Sequence, residues 1–249
     1  MKVNKIMHNK FFLLNKDLWF PDPFLARKDG LLAVGGDLSP ERILLAYSNG
    51  IFPWFSQGDP ILWWCTHPRY ILSPKNLHIS SSLKKEIKKN NFKFSFDRSF
   101  KEVILNCAET RLEKGEETWV IPEMIHSYTR LHKLGYCHSA ETWLDGELAG
   151  GVYGICIGGL FYGESMFYKI SNASKVAFVC MVKMLENWGI ELIDCQMKTE
   201  NLERFGAEYV SLEKFMLLLK TLIKKKNSSP FPFWDIGLLS PNDILKSTG

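Results

Sequence analysis

The segment GGLFYGESMF, residues 158 to 167, sets a carboxylate, Glu164, and a hydroxyl, Ser165, among Phe161, Tyr162, Met166 and Phe167. A second apolar segment, IELIDCQ, carries Asp194 and Gln196. Both read as strands. Alternate residues of a strand share a face, so Asp194 and Gln196 are expected side by side, with Cys195 facing the other way. Buried acids and amides cost free energy unless they are paired. A structural polar network tying two strands together would account for these residues. So would a site with an acid, an amide and aromatic walls, which suits a substrate polar at one end and greasy at the other.

Other chemistries lack their residues. There is no GxxxxGK[ST], no GxGxxG after a strand, no HExxH and no GxSxG, since GESMF at 163 to 167 lacks the second glycine. ATP, dinucleotides, zinc proteolysis and hydrolase serine chemistry therefore lose weight. The six cysteines, at 65, 107, 137, 156, 180 and 195, show no CxxC, so neither a zinc site nor a disulfide framework is expected. They read as buried thiols acting as small apolar residues. A pair of Cys195 with one of the six histidines stays open, although a lone Cys on a buried strand more often packs than attacks. No metal and no cofactor are expected.

Trp54, Trp63, Trp64, Trp119 and Trp143 lie outside the helical patterns. They read as core anchors, or as flat surfaces on which an unpaired base could stack. In SLKKEIKKNNFK, the (i, i+4) spacing puts Lys84 with Lys88 and Lys85 with Lys89 on one side of a helix. A solvated helix face is the plain reading of that run and a phosphate-contacting stripe the sharper one. Lys224 to Lys226, ending an apolar helix, complement its C-terminus. The net charge of +4 is mild and by itself indicates no partner.

The elements that must position these groups follow from caps and turns. The first seventy residues are turn-rich, with one clear helix, LSPERILLAYSNG, capped by Ser39, opened by Pro40 and closed by Gly50. Ser99 and Glu102 form a capping box for a helix through Ala108 toward Lys114. IPEMIHSYTRLHKLG runs from Pro122 to Gly135 as another helix. HSAETWL, ELAGGVYGICI and LFYGESMF, joined by DG and GG, read as three strands of an antiparallel meander. NASKVAFVCMVKMLENWG is a buried helix, IELIDCQ a strand and SLEKFMLLLKTLIKK an amphipathic helix. The aromatic NSSPFPFWD segment is expected to wrap over the surface. The fold class is α+β, with a small loop-rich N-terminal domain over 1–75 and a larger domain over 76–249. With 249 residues, 46% hydrophobic, the chain is ample for a core, and its apolar runs stop well short of the ~20 residues of a membrane span. The N-terminus lacks a small-residue cleavage site, so a cytoplasmic location is expected.

Several long motifs, in order, carry a resemblance. GLLAVGGDLSPERILLAYSNGIFPWFSQGDPILWW (30 to 64), ETWVIPEMIHSYTRLHKLGYCHSAETW (117 to 143), GGVYGICIGGLFYGESMF (150 to 167), NASK (172 to 175) and LIDCQ (192 to 196) closely resemble the bacterial leucyl/phenylalanyl-tRNA–protein transferases. The similarity runs from about residue 20 to 220. It implies transfer of leucine or phenylalanine, less often methionine, from aminoacyl-tRNA to the N-terminal amine of proteins that begin with Arg or Lys, marking them for the N-degron pathway. It also implies a second domain of the GNAT (N-acetyltransferase-like) fold, and a monomer is expected. An aminoacyl ester is already activated, which agrees with the missing phosphate loop and metal motif.

The resemblance assigns Asp194 and Gln196 to catalysis. A carboxamide is too weakly basic to hold a proton, so Gln196 is expected to orient the α-amine and Asp194 to polarise it. Glu164 is the expected partner of the acceptor's cationic side chain. The donor pocket matches Val152, Phe161, Met166, Met181 and Ile193, an unbranched hollow that crowds β-branched side chains. Tyr47, Trp54, Trp119 and Tyr128 match positions around the terminal adenosine of tRNA, and Lys84, Lys85, Lys88 and Lys89 fall where the family is basic. The chain departs from the family at Asn201 and RFGA (204 to 207), where a His and a Ser-Leu-Gly-Ala run are usual, at Leu212 in place of an Arg, and at Tyr168, expected to narrow the donor pocket. The alternative is an acyl-CoA-dependent N-acetyltransferase of the same core fold, which would need a Gly-rich pyrophosphate loop that the chain lacks in the right context.

Overall fold

The computed structural model describes residues 7–8, 11–89, 91–113, 115, 118–225 and 234–246. The chain runs β1 (Met7–His8), β2 (Phe11–Leu14), β3 (Leu31–Gly35), α1 (Pro40–Ser48), β4 (Phe52–Pro53), β5 (Leu62–Trp64), β6 (Arg69–Leu72), α2 (Ser81–Lys89), β7 (Lys93–Phe96), α3 (Phe100–Glu113) and α4 (Pro122–Lys133). It continues through β8 (Cys137–Leu144), β9 (Glu147–Ile157), β10 (Leu160–Tyr168), α5 (Ala173–Asn187), β11 (Leu192–Gln196), α6 (Glu200–Arg204), β12 (Glu208–Val210), α7 (Leu212–Leu222) and α8 (Pro241–Lys246). A small sheet has the order β1-β2-β3-β5-β4, and a large one the order β12-β6-β11-β10-β9-β8-β7. The architecture is mixed α+β.

The meander β8-β9-β10 forms as the turn chemistry dictates. Asp145 and Gly146 both take positive φ, 51° and 86°, which gives the hairpin a turn whose twist matches its strands. Ser39 caps α1 by accepting the Arg42 N–H, and Gly50 at φ 72° ends it. Gly154 has another role: a Cβ there would stand 2.2 Å from the Tyr162 carbonyl oxygen and 2.6 Å from the Phe161 ring.

Alternation on β9 and β10 divides the interior in two. Tyr153, Ile155, Leu160 and Tyr162 face one cluster, which continues through α1, α3, α4 and α7 into the small sheet at Trp63. Val152, Cys156 and Phe161 face a second cluster built on α5 and α2. The large sheet thus separates two cores, and the first of them is shared with the small sheet.

Three expectations change. β6, at 69–72, precedes the boundary expected at 75 yet pairs with β11 and β12 of the large sheet. The Ser99 N–H, which a capping box would give to Glu102, points to the buried Glu141 carboxylate instead, at 3.4 Å. Trp234 is buried, stacked on His138 with ring centroids 3.7 Å apart; residues 227–233 of the expected surface segment, like Lys226, lie outside the described residues.

Candidate active site

The site forms where two strands leave register together. β10 and β11 are the parallel neighbours of the large sheet, paired from Leu160 with Leu192 to Tyr162 with Asp194. Just beyond, each carries one extra residue. On β10 the register against β9 shifts between Gly163 and Ser165, so Glu164 is the bulge. On β11 the register against β6 shifts between Asp194 and Gln196, so Cys195 is the bulge. A bulge bends its strand and re-aims side chains. A cleft of about 300 Å³ opens at this point, with β4 and Trp119 contributing one wall and α5 another.

The bulge on β11 overturns the shared face expected of Asp194 and Gln196. Asp194 pairs with Ile71 and Gln196 with Tyr70, adjacent residues of β6, so the inserted residue sends the two side chains to opposite faces. Gln196 and Cys195 line the cleft. Asp194 is wholly buried behind it and receives the fork of an equally buried Arg69, at 2.8 Å from Nε and 2.6 Å from Nη2. Direct polarisation of the substrate amine by Asp194 is therefore replaced by a supporting contact: Oδ1 accepts the Gln196 N–H at 2.9 Å. Burial opposes the charge of Arg69, but the adjoining Asp194 outweighs it and holds the guanidinium more firmly protonated than usual.

Glu164 does reach the cleft, and its partners are residues assigned elsewhere. Its Oε1 accepts from the Tyr47 hydroxyl at 2.6 Å and its Oε2 from Tyr128 at 3.1 Å, while the two phenol oxygens are 2.7 Å apart. Both tyrosines are fully buried, which leaves neither ring a face for a nucleobase; of the four aromatics expected around adenosine, Trp54 and Trp119 line the cleft. The Tyr162 hydroxyl donates to the Tyr47 carbonyl oxygen at 2.9 Å, fixing the end of α1 to β10. Burial lifts the Glu164 carboxyl to about 7, although the two phenolic hydrogen bonds pull the other way. The same burial, with the Glu164 charge nearby, holds Tyr47 and Tyr128 well above the usual phenol range.

Of the expected donor-pocket residues, Val152, Met166 and Ile193 line the cleft. Phe161 and Met181, each 1% exposed, sit behind the wall in the second core, the Phe161 ring lying against Gly154. Phe178 of α5 takes their place in the lining. The sequence hid it, because α5 is apolar on most sides and nothing marks which phenylalanine faces a void. Tyr168 is about half exposed and away from the lining, so it does not narrow the pocket. Asn201 stands on the rim with Thr199 and Leu202, Arg204 pairs with Glu200 at 3.4 Å on the surface, and Leu212 is buried. Lys84, Lys85, Lys88 and Lys89 are all exposed on α2, Lys89 joined to Glu86 at 2.8 Å. All six cysteines are buried; burial pushes the Cys195 thiol far up, which makes it a poor nucleophile.

This arrangement offers an apolar hollow flanked by a carboxyl whose charge is poised near neutrality and by a carboxamide on a bent strand end. Comparison with known proteins gives it a family. The model described as Leucyl/phenylalanyl-tRNA protein transferase matches residues 71–220, and that of the family's N-terminal domain matches 36–67. A leucyl/phenylalanyl-tRNA–protein transferase of Desulfatibacillum aliphaticivorans is 56% identical over 197 residues, covering 79% of this chain and 84% of that one. A protein of the same name from Syntrophobacter fumaroxidans is 52% identical over 208 residues, 84% of this chain and 89% of its own. Another, from Desulfotalea psychrophila, is 48% identical over 225 residues, 90% and 98% of the two chains. With more than half of its residues matched by the family model, and relatives near 50% identity along most of its length, this chain belongs to the leucyl/phenylalanyl-tRNA protein transferase family.

Proposed function

We propose that this protein moves leucine or phenylalanine, and less readily methionine, from the 3′ end of its tRNA to the N-terminal amine of proteins beginning with Arg or Lys, placing it in the N-degron pathway of the cytoplasm as a monomer. The observation that carries this reading is the juxtaposition in one cleft of an apolar hollow, Glu164 and Gln196. The hollow of Val152, Met166, Phe178 and Ile193 suits an aromatic side chain or an aliphatic one that is not branched at Cβ. Selection by the placement of a methyl group is limited to about 1–3 kcal/mol, so donor choice leaks. Parallel strands parting at paired bulges agree with a GNAT-like second domain.

The reaction joins the amine nitrogen to the ester carbonyl carbon and breaks the bond from that carbon to the ribose oxygen, which leaves with a proton. Positioning supplies much of the rate, since the ester is already activated. Gln196 accepts from and orients the amine, Trp54 and Trp119 stack on the terminal adenosine, and the α2 lysines contact phosphate. Phosphate contact makes tRNA affinity fall steeply with salt and leaves it largely blind to tRNA sequence. Labelled Leu-tRNA with an Arg-initiated peptide tests the reading: transfer is expected, and Gln196→Ala is expected to lower kcat about 10- to 100-fold. Acetyl transfer from acetyl-CoA, with no transfer from Leu-tRNA, would establish the acyl-CoA alternative instead.

Glu164 adds a pH signature. A carboxyl near 7 carries its full charge only above neutrality, so a cationic acceptor side chain meets a stronger partner as pH rises. The KM for an Arg-initiated peptide is expected to fall several-fold between pH 6 and 8. Glu164→Gln should flatten that dependence and erase the preference for Arg or Lys; an unchanged preference removes Glu164 from acceptor recognition.

A further inference from the structure

Gln196 holds its backbone at φ 54°, in the left-handed region. The other described non-glycine residues there are Asp97, Asp145 and Asn172, whose short side chains suit that region. Gln196 has no such reason, and strain of this kind persists where the surroundings over-determine it. They do so here through a closed ring of contacts. The Gln196 N–H donates to Asp194 Oδ1 at 2.9 Å, and its carbonyl accepts from the Thr66 hydroxyl at 3.1 Å. That hydroxyl in turn accepts from Arg69 Nη1 at 3.5 Å, and Arg69 closes the ring by its two bonds to Asp194. Arg69 cannot swing away, because its guanidinium lies between the Phe52 and Phe215 rings, 5.0 and 4.7 Å from their centroids.

We propose that Thr66 and Arg69 are positioning residues: they grip both backbone polar groups of Gln196, one directly and one through Asp194, and so aim its carboxamide into the cleft. Thr66 sits in the loop between the two sheets, on the strand connection CTHPRY, and holds this carbonyl from outside the cleft lining. A freed Gln196 would relax out of the left-handed region and carry its side chain off the line of attack. Misplacement on that scale lowers the chemical step more than binding. The inference rests on the reading that Gln196 orients the acceptor amine.

The experiment compares Thr66→Val, Thr66→Ser and Gln196→Ala in full-length protein, by single-turnover transfer from Leu-tRNA to an Arg-initiated peptide, alongside tRNA affinity and thermal midpoint. Valine keeps the shape of threonine and removes the hydroxyl; serine restores it. Thr66→Val is expected to slow transfer about 10-fold, with tRNA affinity, peptide KM and thermal midpoint near those of the parent, and Thr66→Ser to recover the rate. Should valine lower the midpoint, Thr66→Ala against Thr66→Ser gives the same comparison. If Gln196→Ala slows transfer and loss of the Thr66 hydroxyl does not, or if serine fails to rescue, the positioning role is overturned. If Gln196→Ala leaves the rate unchanged, the role assigned to Gln196 falls first and the ring is structural only.

Discussion

Asp194→Ala is expected to destabilise the folded protein by about 3–5 kcal/mol, more than it teaches about chemistry. Removing the carboxylate strands the Arg69 guanidinium, which is wholly buried, with Asp194 as its anionic partner and two aromatic rings as neighbours. An unpaired buried charge is among the few causes of losses this large. The same substitution frees the Gln196 N–H, so residual folded enzyme should also transfer slowly. Equilibrium urea unfolding of the single variant and of Arg69→Met/Asp194→Leu separates the two effects. The double variant should regain most of the stability, because two well-packed apolar side chains replace a desolvated ion pair at little net cost. It should not regain the rate. A loss below about 1 kcal/mol for Asp194→Ala would mean that Arg69 finds water or another acceptor, and the account of the buried pair would be wrong.

The second large effect is a loss of stability as pH rises. Glu141 is fully buried beneath the start of α3; burial lifts its carboxyl to about 7 despite hydrogen bonds from Ser139 at 2.5 Å and Ser95 at 2.6 Å. A group whose carboxyl is raised on folding binds its proton more tightly folded than unfolded. Its contribution is therefore fully present below the unfolded value of 4.5 and is lost as pH climbs to about 7. The corresponding loss is about 3 kcal/mol for Glu141, and Glu164 adds to it in the same direction and the same window. Urea midpoints are thus expected to fall between pH 5 and 8, and Glu141→Gln to flatten part of the slope. Midpoints that climb steadily over this range would show that Glu141 stays ionised at little cost.

How much of this was legible in the sequence depended on whether local chemistry or distant register decided each feature. The meander was readable because DG and GG force hairpin turns wherever they join alternating segments. Helix α1 was readable from Ser39, Pro40 and Gly50. That Glu164 has buried hydrogen-bond partners was also readable, since its strand is so apolar that a carboxylate in it had to be paired. Those partners were misassigned: Tyr47 and Tyr128 look like any exposed aromatics until α1 and α4 are packed against β10. The largest miss, the opposite facing of Asp194 and Gln196, came from a single inserted residue. An alternating pattern carries no record of an insertion, because the extra residue shows only against the pairing partner, here Ile71 and Tyr70 of β6. Arg69 went unnoticed for a related reason. It lies in a turn-rich stretch where arginines are usually solvated, and its burial is decided by Phe215, some 150 positions later.

The ring around Gln196 has an implication for how such a protein can be divided. Thr66 lies one residue from the end of the shorter of the two matched stretches, 36–67, and Arg69 falls in the interval before the longer begins at 71, whereas Asp194 and Gln196 belong wholly to the longer. A fragment cut at that seam would inherit an anion without its counter-ion and a twisted glutamine without its clasp. Modules exchanged between relatives at this joint would travel badly unless the whole crossing went with them, so the two pieces form a single heritable machine despite their separate outlines.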